Sequence, residues 1–184
     1  MSRINFDTEV VGAESKPLLV QIHKAFAGTP NMFKAVANSP AALKSMWGAF
    51  GALGQGTIGA KLGEQIAVAI ANRNRCEYCL AAHTILGQKA GATVEEISAA
   101  QVGQSRDVKT AAALTFVLKV VENRGQVSAA DVDNLRAAGF GDEQVVEIIA
   151  HVALNLFTNY INVALDVPVD FPKVALVETR ARAA

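Results

Sequence analysis

Charge is scarce in this sequence. Charged residues make up 18% of its 184 positions, and 17 acids offset 17 bases to give zero net charge. A nucleic-acid binder carries a basic face, and none is expected here. No uninterrupted apolar run approaches the ~20 residues that cross a bilayer, so no membrane span is expected. The first residues, Met1-Ser-Arg-Ile-Asn-Phe-Asp-Thr-Glu9, are polar and acidic, with no apolar signal core. The expected setting is therefore the reducing cytoplasm, where a close cysteine pair is more often catalytic or metal-binding than structural. No glycine fingerprint follows a plausible strand, so flavin or nicotinamide binding is not expected and no cofactor is predicted. No hairpin signal separates a pair of alternating runs, which argues against a sheet.

Apolar residues are abundant, at 51%, ample for a substantial core. The length fits one domain, 1–184, and the patterning predicts an all-α fold. Ser15-Lys-Pro17 starts a helix carrying Leu18, Leu19, Ile22 and Phe26 at helical spacing. Gly28-Thr29-Pro30 ends it, a short helix runs through Phe33 and Val36, and Ser39-Pro40 opens another with Leu43, Met46, Trp47 and Phe50. These N-terminal helices cover 15–53. Glycines from Gly48 to Gly63 are expected to loosen the chain into a connector. Regularity returns near Leu62, Asn72–Arg75 reads as a polar turn, and a second helix starts at Cys76 and ends near Ala90-Gly91. That motif pair spans about 60–91. Thr93 opens a capping box with Glu96, and Asp107 caps the next helix. Further helices follow Ser128 and Gly141, the last long and apolar. An extended tail carries Val167-Pro168-Val-Asp-Phe-Pro172.

The two cysteines are the only ones in the chain, and both lie in Cys76-Glu-Tyr-Cys79-Leu-Ala-Ala-His83. A pair at that spacing closes a disulfide within one turn of chain and is opened by another thiol. Cys76, Cys79 and His83 fall on one stripe of one helix. Cys76 in the first turn meets unpaired N–H groups that favour a thiolate. Arg73 and Arg75 add positive charge, partly opposed by Glu77. With the bend centred between Arg73 and Asn74, Glu64 lies as far back along one helix as His83 lies forward along the other. A carboxylate–imidazole contact is then geometrically allowed. Thiol, imidazole and carboxylate in series form a proton relay for a sulfur nucleophile.

Glu64, twelve residues, Cys76-x-x-Cys79, three residues, His83 also resembles a family signature. It is similar to the alkylhydroperoxidase D branch of the carboxymuconolactone decarboxylase superfamily, in Leu-Gly-Glu64-Gln-Ile-Ala…Asn-Arg-Cys76-Glu-Tyr-Cys79-Leu-Ala-Ala-His83. The stretch covers about a fifth of the chain. The tail from Phe157-Thr-Asn-Tyr-Ile-Asn162 onward resembles uncharacterised peroxidase-related members. The resemblance implies an all-helical fold, a homo-oligomer of trimers or their multiples, and cofactor-free reduction of hydroperoxides by a dithiol–disulfide cycle. It implies attack by Cys79, resolution by Cys76, and a relay through His83 and Glu64. Reduction would come from a lipoyl or thioredoxin-like dithiol protein. The position before the second cysteine can be histidine in such relatives. Here it is Tyr78, which cannot act as a base near neutral pH.

Other readings stay open. Helix-terminus electrostatics favours Cys76, not Cys79, as the more acidic thiol. Glu64, Cys76, Cys79 and His83 have the ligand types of a zinc or sensor site, although Cys76 and His83 lie ~10 Å apart along a straight helix. A lyase of the decarboxylase branch is a third possibility, with the cysteines incidental. His151, Asn155, Asn159 and Asn162 form a polar stripe on an apolar helix. It reads as a hydrogen-bonded core or subunit contact, or as a pocket wall facing the cysteines. His23 receives no role.

Overall fold

A computed structural model describes residues 2–178. Among them are nine α-helices and no strand. In chain order they are α1 (Lys16–Phe26), α2 (Asn31–Val36), α3 (Pro40–Leu53), α4 (Ala60–Arg73), α5 (Glu77–Lys89), α6 (Val94–Gln101), α7 (Val108–Glu122), α8 (Ala129–Ala137) and α9 (Asp142–Ala164). The all-α expectation holds.

The helix starts follow local chemistry. Ser39, Thr93, Asp107 and Ser128 each accept a backbone N–H three residues on, the capping role that short polar side chains fill. Thr93–Glu96 and Ser128–Asp131 complete reciprocal capping boxes.

α4 is the central helix. Every residue from Gln65 to Asn72 is buried, and α5, α6, α7 and α9 all pack on it. Over that run the helix has no solvent face to offer. Each fully buried Ile or Leu here contributes roughly 1.5–3 kcal/mol of transfer free energy. Gly87 lets α5 approach closely. A Cβ there would fall 2.5 Å from Ile97 Cδ1 and 3.5 Å from Glu64 Cβ.

Two expectations are corrected. α3 continues through Gly48 and Gly51 to Leu53, so the connector shrinks to 54–59. Met46 is fully buried, and Trp47 and Phe50 both meet the Phe33 ring in edge-type contacts; that packing overrides glycine's weak helix propensity. Asn72 is not part of a turn. It lies inside α4 and ties down the tail, donating to Val177 O at 3.0 Å and accepting Val177 N–H at 2.9 Å. The chain reverses instead through Asn74 and Arg75, with Arg75 in the left-handed region at φ 56°.

Among the described residues no helix is long and apolar enough to cross a membrane.

Candidate active site

The reversal after α4 delivers Cys76 as the N-cap of α5, one residue before the helix begins. Its sulfur accepts the Cys79 N–H at 3.2 Å, satisfying one of the unpaired donors of the first turn. Cys76 and Cys79 are joined as a disulfide, with Cα atoms 5.3 Å apart.

One turn further along α5, His83 Nδ1 meets Glu64 Oε2 at 2.7 Å. The antiparallel pairing of α4 and α5 makes this contact. An ionised carboxylate only accepts, so Nδ1 carries a hydrogen towards it, and in the neutral ring Nε2 is the nitrogen left with a lone pair. The two side chains are 12% and 24% exposed, which leaves them mostly out of water. Glu64 on α4, Cys79 and His83 on α5, and Cys76 at the N-cap of α5 are thus brought to the same helix pair. Among the described residues no group of three or more His, Cys, Asp or Glu side chains is placed to hold a metal ion.

The sulfurs are not exposed, contrary to what a reactive pair leads one to expect. Each cysteine is 1% accessible. Access is instead through a pocket of about 40 Å³, lined by Cys79 and His83 together with Phe26, Phe33, Phe50 and Phe171. Cys76 does not line it. Nor are the two arginines available as free positive charge. Arg73 pairs with Glu122, and Arg75 with Glu178 at 2.8 Å.

Tyr78 is structural. Its hydroxyl accepts the Met32 N–H at 3.1 Å, and its ring meets Phe171 edge-on at 5.6 Å. Burial is the main influence that raises its pKa, and nearby Asp170 adds to it. It stays a neutral phenol, tying α5 to α2 and to the tail.

The polar stripe of α9 faces inward. Asn162 Nδ2 donates to Cys79 Sγ at 3.2 Å, and Asn159 Oδ1 accepts from Asn74 Nδ2 at 3.0 Å. Asn155 bonds its own helix at His151 O. His151 lines a second cavity of about 190 Å³ with Glu64, His83 and Gly63. Burial holds the His151 pKa below its ordinary value, against the pull of Glu147 and Glu64. His83 therefore stands between a small apolar pocket at the sulfur and a larger cavity behind Glu64. The stripe was legible in sequence; the contact of Asn162 with Cys79 was not.

Residues 40–123 match the model of the carboxymuconolactone decarboxylase family. No curated protein matches the sequence. Solved structures do. An uncharacterised peroxidase-related protein from Ralstonia eutropha JMP134, described as an alkylhydroperoxidase AhpD core, is 23% identical with a TM-score of 0.81 over 92% of each chain. An uncharacterised peroxidase-related protein from Silicibacter sp. TM1040 is 20% identical with a TM-score of 0.79, covering 95% of this chain and 92% of the other. The debrominase Bmp8, as its C82A variant with 2,3,4-tribromopyrrole, is 18% identical with a TM-score of 0.74, covering 92% and 90%. At these identities the likeness is one of fold.

Proposed function

Starting from the match of residues 40–123 to the carboxymuconolactone decarboxylase family, we propose that the chain is a thiol peroxidase of that superfamily that reduces hydroperoxides through Cys76 and Cys79. One observation carries the reading. Cys79 and His83 line the same pocket, and Glu64 holds His83 with its Nε2 free. That is the arrangement for drawing a proton from a thiol and returning it to a leaving alkoxide.

Pocket access favours Cys79 as the attacking sulfur. Cys76, three residues away and already bonded to it, is the resolving one. Attack by Cys79 on the terminal peroxide oxygen gives a sulfenic acid and an alcohol. The Cys76 thiol then displaces water from that sulfur and closes the disulfide. A dithiol carrier of the lipoyl or thioredoxin-like kind reopens it. The apolar lining favours an organic hydroperoxide over hydrogen peroxide. A disulfide beside the pocket favours this cycle over lyase chemistry with incidental cysteines, and over a metal or sensor site.

A homo-oligomer belongs to the same reading. On the outer face of α9, Val146, Ile149, Ala153, Tyr160 and Val163 are exposed, at the three-and-four spacing of a helix seam. Between Ile148 and Leu165 the only ionisable groups of α9 are His151 and the phenol of Tyr160. A face this apolar is suited to a second copy of the chain.

The test is intact-mass analysis of the reduced protein after one equivalent of tert-butyl hydroperoxide. Wild type should lose two mass units as the disulfide closes. Cys76→Ser should stop at a sulfenic acid and Cys79→Ser should not react. Wild type that stays reduced removes the reading.

A further inference from the structure

Cys79 receives a hydrogen bond from a helix 83 positions away in sequence. Asn162 Nδ2 donates to its sulfur at 3.2 Å, and Asn162 is only 3% exposed. The other arm of the same amide, Oδ1, is buried without a partner. Most buried side-chain amides satisfy both arms; of the two on this stripe that do not, Asn159 leaves a donor unpartnered and Asn162 an acceptor. Asn162 commits its donor to the sulfur and leaves its acceptor empty, beside the pocket that Cys79, His83 and Asn162 line together.

We propose that Asn162 is a catalytic residue of the thiol cycle: Nδ2 steadies the Cys79 thiolate, and Oδ1 receives the O–H of the incoming hydroperoxide. The inference rests on the peroxidase reading above. A thiolate accepts a hydrogen bond more strongly than a disulfide sulfur does, so the Nδ2 contact favours the charged form. Donor and acceptor belong to one rigid plane. An oxygen held at Oδ1 is brought beside the sulfur when Sγ takes the Nδ2 hydrogen that lies on the Oδ1 side of the amide.

The chemistry needs that acceptor twice. The thiolate attacks the terminal oxygen of R–O–O–H; the S–O bond forms and the O–O bond breaks. The alkoxide leaves with the O–O bonding pair and takes the proton held at His83 Nε2, giving R–OH. The hydrogen on the terminal oxygen never leaves it and becomes the hydrogen of the sulfenic acid, Cys79–S–O–H. One carbonyl thus serves reactant and intermediate. The Cys76 sulfur then attacks Cys79; its proton leaves with the hydroxyl as water, and the disulfide is restored. Two electrons pass from the dithiol to the peroxide.

The experiment uses the Cys76→Ser chain, in which Cys79 is the only thiol, with and without Asn162→Ala. Iodoacetamide alkylation against pH reads the thiol pKa. Stopped-flow oxidation by tert-butyl hydroperoxide, at a pH where Cys79 is fully ionised, reads the step beyond it. Asn162→Ala should raise the alkylation midpoint by about one unit. It should also slow oxidation of the ionised thiol at least about tenfold, and the sulfenic acid should overoxidise sooner. Asn162→Asp keeps an acceptor and loses the donor, so it should raise the midpoint at least as far. It also serves if the alanine variant fails to fold by circular dichroism. An unchanged midpoint together with an unchanged thiolate rate in a folded variant overturns the proposal. If the parent chain alkylates normally but ignores the hydroperoxide, the peroxidase reading falls and the Oδ1 role with it. The alkylation midpoint, which needs no peroxide, then decides the Nδ2 role alone.

Discussion

Helices α8 and α9 follow one another in the chain and are built on opposite plans. α8 turns Leu135 into the core and keeps Asp133 and Arg136 outside, paired at 3.0 Å. Folding of a single chain accounts for each of those choices. α9 is inverted. It buries Asn155, Thr158, Asn159 and Asn162, and it exposes Val146 at 67%, Tyr160 at 61% and Val163 at 49%. Buried amides cost desolvation that their hydrogen bonds only offset. Exposed valines leave hydrophobic free energy unused. A helix that buries amides and exposes valines serves, on the reading proposed above, ends beyond the folding of one chain: chemistry inside and a partner outside.

The outer face offers the largest effect. Ile149→Glu combined with Val163→Glu puts two carboxylates on the apolar seam, and burying them unpaired would cost several kcal/mol. Light scattering at micromolar concentration should show wild type as a multiple of 19.3 kDa and the double variant as a monomer of unchanged helix content. Asp133→Ala on α8 should leave assembly alone. Wild type already at the mass of one chain would remove the partner and with it half of the contrast.

The inner face gives a smaller, pH-dependent effect. His151 is surrounded by Glu147 on its own helix, Glu64 on α4 and His83 on α5, and burial depresses its pKa. Folded protein keeps the ring neutral, whereas the unfolded chain protonates it near 6.5. Below that pH the unfolded state binds more protons. The stability tied to neutral His151 is therefore complete above about 6.5 and is lost as pH falls towards the depressed folded value. His151→Phe deletes this dependence and the unpartnered Nε2. Its stability at pH 7 should lie within about 1.5 kcal/mol of wild type. Urea titrations from pH 7 to pH 5 should fall less steeply for the variant. An equal slope would place the dependence on another group.

How much of this was legible in sequence depended on distance along the chain. The α4–α5 pair followed from one polar reversal: equal offsets from a bend expected between Arg73 and Asn74 put Glu64 level with His83, and the 2.7 Å contact forms although the chain reverses slightly later, through Asn74 and Arg75. Capping residues announced α3, α6, α7 and α8 for the same reason: the partners lie three residues apart. Asn162 could be seen only as one member of a stripe. Its contact with Cys79 depends on how α9 crosses α5, and helix crossing is set by packing that no local pattern encodes. Burial of the cysteines escaped for a like reason. Phe171, which lines the pocket at Cys79, comes from the tail. The glycines of α3 misled because propensity is a weak prior against the packing of Met46 and Trp47.

The smallest effect belongs to α8, and it tests whether that helix is as ordinary as it looks. Asp131 accepts Lys119 Nζ at 2.6 Å and Ser128 N–H at 2.8 Å. Lys119 first, and then the Ser128 hydrogen bonds, hold its pKa down at about 2, against an ordinary 3.8. The sign is that of a depressed acid. The contribution to stability is present above the unfolded value, near 4, and is lost as pH falls from there towards about 2. Asp131→Asn retains a carbonyl that can accept the Ser128 N–H, and removes the charge that Lys119 pairs with. Thermal melts of variant and wild type should therefore differ slightly at pH 6 and converge as pH approaches 2. Peroxide oxidation, thiol alkylation and assembled mass should all be unchanged, since α8 carries none of the site residues. If Asp131→Asn altered the reactivity of Cys79, α8 would be coupled to the sulfur as α9 is, and the contrast between the two helices would fail on its ordinary side.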